Sequence, residues 1–331
     1  MMDEIILTGI KPTGTPHIGN FFGAIQPALS AKDQTPFYFI ADYHALTTLR
    51  DPEVLKQSCR EVAATWLALG LDPEKAVFYR QSDVPEIFEL QWVLSCFTSK
   101  GLLNRAHAYK TVVDDNLQNG RDPDKNINAG TYGYPVLMAA DILAFNAAKV
   151  PVGQDQKQHI EIVRDIAETF NKEYKVELLT LPEPVIEKTV QTIVGLDGRK
   201  MSKNYNNTIP LFLPEKALRK KVMQIKTDSL GVEDVKDPET CTVFALYQLI
   251  ANESDVESLK QRYLAGGMGY GDAKQTLFEA LDAFFAESRG RYEKLLADDD
   301  YLDEVLVKGA EKARSVARQT LFKVKKTIGV I

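Results

Sequence analysis

The stretch Thr8-Gly-Ile-Lys-Pro-Thr-Gly-Thr-Pro-His-Ile-Gly-Asn20 limits what this chain can fold into more than any other. Ahead of it, Glu4 to Leu7 is a short apolar run that reads as a buried strand; behind it, Phe21 to Leu29 has apolar residues at helical spacing. Strand, Gly/Pro-rich turn and helix in that order offer backbone N–H groups and a positive helix end to a phosphate. Gly9 and Gly14 permit positive φ and close backbone approach. Gly19 lacks a Cβ where a base or ribose would lie, and His17 supplies a donor for a phosphate oxygen. Taken alone, the turn also fits a tight structural crossover.

Strand and helix signals then alternate. Pro36 to Asp42, Ala76 to Arg80 and Lys149 to Gly153 are runs of strand length, while Pro52 to Leu69, Pro85 to Phe97, Gly130 to Asn146 and Gln154 to Phe170 read as helices. The alternation predicts an α/β fold with a doubly wound parallel Rossmann-type sheet. In such sheets ligands bind beyond the carboxyl ends of the strands, where Thr8 to Asn20, Asp42 to His44 and Gly153 to Gln156 fall. Asp114 to Asn128 is rich in Asp and Asn without periodicity and reads as a mobile surface insertion, about 111–130. From Pro214 onward strand signals are absent, which predicts an all-helical C-terminal domain ending in a helix from Tyr301 to Ile328. The expected divisions are 1–187 for the sheet domain, 188–206 for a mobile loop and 207–331 for the helical domain. The final helix carries Lys308, Lys312, Arg314, Arg318, Lys323, Lys325 and Lys326, and Arg219, Lys220 and Lys221 form a second cluster; each is either a solvated face or a nucleic-acid surface.

The 331 residues suffice for two domains, and 44% hydrophobic with 26% charged residues is an ordinary globular composition. The longest apolar runs, such as Val136 to Ala144, are too short to span a membrane and contain Asp141. Met1 to Gly9 does not read as a secretory signal. Cys59, Cys96 and Cys241 lie far apart without metal spacing and read as reduced core residues of a cytoplasmic protein. A net charge of −6 argues against a general nucleic-acid coat, so no DNA partner is expected, although a local basic face is compatible with it.

Two downstream blocks carry the chemistry. Gly198-Arg-Lys-Met-Ser-Lys-Asn204 follows Asp and Gly and reads as a mobile exposed loop with Lys200 and Lys203. Tyr134, Met138 and Asp141 share one side of a helix. A carboxylate on an apolar helix face needs a partner: either a structural one, or a ligand N–H such as that of an indole, which has one donor and no acceptor.

His17-Ile-Gly-Asn20 with Lys200-Met-Ser-Lys-Asn204 resembles the two signatures of class I aminoacyl-tRNA synthetases, usually HIGH and KMSKS. Tyr134 to Asp141, followed by Val150-Pro-Val-Gly-Gln-Asp-Gln156, narrows the resemblance to the bacterial tryptophanyl-tRNA synthetase family, over most of the chain. The resemblance implies activation of L-tryptophan with ATP (carried with Mg²⁺) to the adenylate, transfer to tRNA(Trp), and a homodimer. By the same resemblance, the indole nitrogen meets Asp141, and Tyr134, Met138, His44, Leu7, Val150, Val152 and Gln156 line the pocket. ATP meets Lys11, Pro12, Thr13, Gly19, Asn20, Gly153, Gln154, Asp155, Lys200, Met201, Ser202, Lys203 and Asn204; His17, Lys200, Lys203 and Lys110 stabilise phosphate charge. Gln158 and His159 read as polar helix surface. The chain departs from the family pattern at Lys11, usually Gln; His17, often Thr; Asn204, usually Ser; and Val112, often a second Lys. Lys11 with His17 makes the ATP turn more cationic than is usual. The alternatives are a tyrosyl-tRNA synthetase-like enzyme, a nucleotidylyltransferase that does not act on tRNA, and a paralogue that only binds tryptophan.

Overall fold

The computed structural model describes residues 5–30, 35–153, 156–185 and 193–331. Five parallel strands, β1 (Ile5–Ile10), β2 (Thr35–Ile40), β3 (Val77–Arg80), β4 (Lys149–Pro151) and β5 (Glu183–Val185), form one sheet in the order β3-β2-β1-β4-β5. The order reverses between β1 and β4, which makes their carboxyl ends the topological switch point.

Helix α1 (Ile18–Asn20) runs through a π-helical turn at Phe21–Ile25 into α2 (Gln26–Ser30). Short α3 (Asp42–Ala45) follows β2, and α4 (Pro52–Ala68) crosses to β3. Asp51 caps α4 by accepting from the Glu53 and Val54 N–H groups, and Pro52 occupies its first turn, where no amide proton is missed. Then come α5 (Glu86–Cys96), α6 (Lys100–Leu103), α7 (His107–Gln118), α8 (Ala129–Leu143) and α9 (Lys157–Tyr174). The helical part comprises α10 (Glu215–Met223), α11 (Thr242–Tyr247), α12 (Glu253–Ala265), α13 (Tyr270–Leu296) and α14 (Asp299–Thr327).

Strand side chains alternate between two cores. Phe37, Phe39, Val77 and Tyr79 join α5, α8, α9 and α14 on one face, whereas Tyr38, Ile40 and Phe78 join α4 on the other. Burial of both faces is why these strands read as continuous apolar runs. The second core continues without a break into Val222, Phe244, Leu277 and Phe285, so the helical part shares its core with the sheet. Helix α14 packs back along β3 so closely that a Cβ at Gly309 would lie 1.8 Å from the Phe78 carbonyl oxygen.

Two expectations are corrected and one open alternative is narrowed. Asp114 to Gln118 belongs to α7; the loop behind it is held by buried Asn116, whose Nδ2 donates to the Pro123 and Lys125 carbonyls. Asn and Asp hid that helix, because its exposed face is almost entirely polar. Cys96 is exposed at the end of α5, while Cys59 and Cys241 are buried as expected. The basic face of α14 is largely engaged: Arg314 and Arg318 both bond to Glu86, Lys325 to Glu89, and Lys308 to Glu304. Burial raises the Glu86 carboxyl, but the two guanidiniums outweigh it and hold the group below its ordinary value.

Candidate active site

The turn after β1 and the lysine loop form one unit. Lys203 Nζ donates to the carbonyl oxygens of Thr13 and Gly14, at 2.7 Å each. Gly14 has φ +84°, which explains glycine there. Gly9 does not: its missing side chain makes room for the Phe39 ring, whose Cζ would stand 2.4 Å from a Cβ. His17 opens α1, and its N–H donates to Asn20 Oδ1 at 3.0 Å, so Asn20 acts as a helix cap. The His17 ring lies against Gly19, where a Cβ would meet His17 Nδ1 at 3.0 Å and Met201 Cβ at 3.3 Å. The Gly19 N–H reaches Met201 Sδ at 3.3 Å. The space at Gly19 is therefore used by His17 and the buried Met201. Burial, and then the adjacent Lys203 ammonium, push the His17 pKa down to about 4, leaving the ring neutral at pH 7.

Buried Asn207, unassigned from sequence, shapes the loop. Its Oδ1 accepts from the Ser202 N–H at 2.8 Å, and its Nδ2 donates to Asp197 Oδ1 at 2.7 Å and to the Lys200 carbonyl at 3.1 Å. The Asn207–Asp197 bond, with Arg199, holds the Asp197 carboxyl down at about 2. The loop is exposed at Gly198, Arg199, Lys200, Lys203 and Asn204, as read from sequence, and is bonded to the first turn through Lys203. Lys200 and Asn204 project outward. Lys11 Nζ donates to Thr47 Oγ1 at 3.0 Å, and that hydroxyl donates to the His44 carbonyl, linking the turn to the end of β2. Desolvation at the turn lowers the pKa of both Lys11 and Lys203, although each residue as a whole remains exposed.

The second half of the site centres on Asp141, 1% exposed on α8. His44 Nε2 lies 2.9 Å from its Oδ2, and Gln81 Nε2 donates to Oδ1 at 2.7 Å and Oδ2 at 2.9 Å. A carboxylate offers about four acceptor positions; these bonds occupy three, leaving one on Oδ1. Burial raises the Asp141 carboxyl, and the bonds from His44 and Gln81 pull against it. Gln81 comes from the turn after β3 and gave no signal in sequence. Asp42 aligns it: its carboxylate accepts from the Tyr43 and Ser82 N–H groups at 3.0 Å and from the Ser82 hydroxyl, fastening the ends of β2 and β3 together.

Tyr134 stands edge-on to His44, with ring centroids 6.1 Å apart, and its hydroxyl bonds to His159 Nε2. His159 Nδ1 meets Gln156 Oε1 at 2.6 Å. His159 is buried, correcting its reading as helix surface, and it joins two of the residues assigned to tryptophan; Gln158 is exposed as expected. Leu7 and Val150 are buried, and Met138 and Val152 pack against the same core. Buried Pro12 and exposed Gly153 border the turn and β4; Gln154 and Asp155 lie outside the described residues. Lys110 is exposed on α7 and is not drawn into either half of the site.

A family model described as tRNA synthetases class I (W and Y) matches residues 3–286. A Pseudomonas aeruginosa protein named tryptophan–tRNA ligase is 52% identical over 334 residues, covering 99% of this chain and 74% of its own. A Neisseria meningitidis protein of the same name is 48% identical, covering 100% and 99%. The crystal structure of a Campylobacter jejuni tryptophanyl-tRNA synthetase complexed with ADP and tryptophan is similar with TM-score 0.91 and 47% identity, covering 98% of this chain and 99% of that one.

Proposed function

Because the chain belongs to the class I tRNA synthetases for tryptophan and tyrosine, and within them to the tryptophan–tRNA ligases, we propose that the strand-end residues described above form its site of tryptophan activation. The activity is that of a ligase joining tryptophan to tRNA at the expense of ATP. The remaining acceptor position on Asp141 Oδ1 would take the indole N–H, with Tyr134, Met138, Val150 and Val152 enclosing the ring. One observation carries this reading: a fully buried carboxylate whose two protein partners leave one acceptor position unfilled. A ligand without that donor would leave the carboxylate underpaired in a dry pocket.

The tryptophan carboxylate would attack the α-phosphate of ATP, forming the adenylate and releasing pyrophosphate. Such a step needs positioning and charge stabilisation rather than a side-chain nucleophile. Lys203 is already at the turn, Lys11 is tethered to Thr47, and Lys200 is exposed on the loop, so the three can meet phosphate oxygens as ATP enters. Neutral His17 would act as a hydrogen-bonding group rather than a cation. The turn presents lysines and backbone amides, which suit phosphate oxygens and not a divalent ion; Mg²⁺ therefore belongs with the substrate, entering on the ATP phosphates and neutralising part of their charge. The acyl group would then pass to the terminal ribose of tRNA(Trp), with residues 207–331 as the tRNA-facing part.

A homodimer is supported by a groove of about 300 Å³ between α5 and α8, lined by Phe88, Leu103 and Val136, with Trp92 standing 73% exposed beside it. Among the described residues no helix is long and apolar enough to cross a membrane. The buried free thiols of Cys59 and Cys241 support a reducing, cytoplasmic setting.

ATP–pyrophosphate exchange measured in parallel with tryptophan, tyrosine and phenylalanine tests the assignment. Exchange should depend on tryptophan alone; exchange with tyrosine and not tryptophan would overturn it.

A further inference from the structure

A ligase of net charge −6 must still hold a polyanion. The basic last helix is a poor choice, because most of its cations are spent on Glu86, Glu89 and Glu304. Helix α10 differs. Its nine residues carry Lys216, Arg219, Lys220 and Lys221 against the single acid Glu215. Leu218 and Val222 turn inward, so the cations lie on the outer side. Lys216, Lys220 and Lys221 make no ion pair among the described residues, and Arg219 Nε donates to the neutral Gln275 Oε1 at 3.1 Å. Lys216, Arg219 and Lys220 border an open cleft of about 480 Å³ together with Met223 and Gln224. Lys274 adds a further ammonium at its end, donating to the Met223 carbonyl at 3.3 Å.

The position is as telling as the charge. The segment leading into α10 is bonded to the first turn, with Ile18 N–H to the Ile209 carbonyl at 3.0 Å and Leu211 N–H to the Pro16 carbonyl at 2.9 Å. The segment leaving it is bonded to the lysine loop, Lys226 N–H to the Leu196 carbonyl at 2.7 Å. The cluster thus stands between two segments that are bonded directly to the nucleotide turn and to the lysine loop.

We propose that α10 and its cleft receive the phosphodiester backbone of tRNA. The proposal rests on the ligase reading and adds the surface that reading lacks. Cations without internal partners release counterions when they meet phosphates, which is the main sequence-independent source of nucleic-acid affinity. Residues of this kind position the backbone and leave the amino-acid chemistry untouched.

The test compares wild type with Lys216→Ala/Arg219→Ala/Lys220→Ala in two assays: aminoacylation over a range of tRNA concentration, and tryptophan-dependent pyrophosphate exchange without tRNA. The variant should raise the KM for tRNA by about tenfold or more. It should also lower the salt slope of tRNA binding by about two to three, roughly one for each phosphate that the protein no longer neutralises. Exchange should stay within about twofold of wild type. Lys323→Ala/Lys326→Ala, at exposed positions of α14, should leave the KM for tRNA nearly unchanged. An unchanged KM and salt slope in the α10 variant would overturn the proposal, as would an equal fall in exchange, which would show that the change acts through the lysine loop. Wild-type protein lacking tryptophan-dependent exchange would instead sink the ligase reading beneath it.

Discussion

Asp141 has been taken out of water on a helix that otherwise buries apolar groups, and its partners decide what it can do for a ligand. Gln81 is the more committed of the two: it is fully buried, and its Nε2 spans both carboxylate oxygens. Replacing it by Leu removes that donor while roughly keeping the volume. The carboxyl, already raised by burial, should then move further up. Gln81→Leu is expected to raise the KM for tryptophan by about tenfold to a hundredfold, one charged hydrogen bond's worth, with a smaller effect on kcat. The acid limb of kcat/KM should shift to higher pH; a limb that stays in place would show that Gln81 only fills space. His17 makes a second prediction at this scale. The unfolded imidazole takes a proton near pH 6.5, whereas the folded one refuses it until about 4. The unfolded state therefore binds more protons in that window, and stability is lost as pH falls through it and fully present above it. The melting temperature should drop between pH 7 and 5 more steeply in wild type than in His17→Asn; equal slopes would contradict the assignment.

At the scale of elements, the seating of α14 on β3 is the tightest test of packing. Gly309→Ala would drive a methyl group into the Phe78 backbone and should cost about 2–3 kcal/mol in denaturant unfolding, whereas most glycine-to-alanine changes within helices stabilise. A neutral result would mean that α14 does not sit on the strand. This close approach was invisible in sequence, where Gly309 is merely a poor helix former. The first four strands and the two signature stretches were legible because Gly and Pro punctuate them and because strands buried on both faces have no polar alternation to confuse them; β5, three residues long with Pro184 at its centre, gave no such run. Gln81, Asp42, Asn207 and His159 were not, since each draws its role from a partner distant in sequence or from burial that no local pattern encodes. The basic residues of α14 could not be resolved from sequence for the same reason. Arg314 and Arg318 fit either a solvated face or a nucleic-acid surface until Glu86, far away in the chain, is placed beneath them.

For the whole molecule, a single sheet brings two chemistries together. The ends of β1 and the lysine loop bring lysines and backbone amides together; the ends of β2 and β3, with α8, bring together a buried carboxylate and two partners that leave one acceptor position unfilled. Lys11, Thr47 and His44 tie these halves to each other. The central claim is that Asp141 selects tryptophan through the indole N–H. The direct test is pyrophosphate exchange with tryptophan against the analogue in which sulfur replaces that N–H, in wild type and in Asp141→Ala. A site built around the donor should favour tryptophan by about 10³-fold or more in kcat/KM, and the ratio should collapse toward one in the variant. A wild-type preference below about tenfold, or one that survives Asp141→Ala, would contradict it.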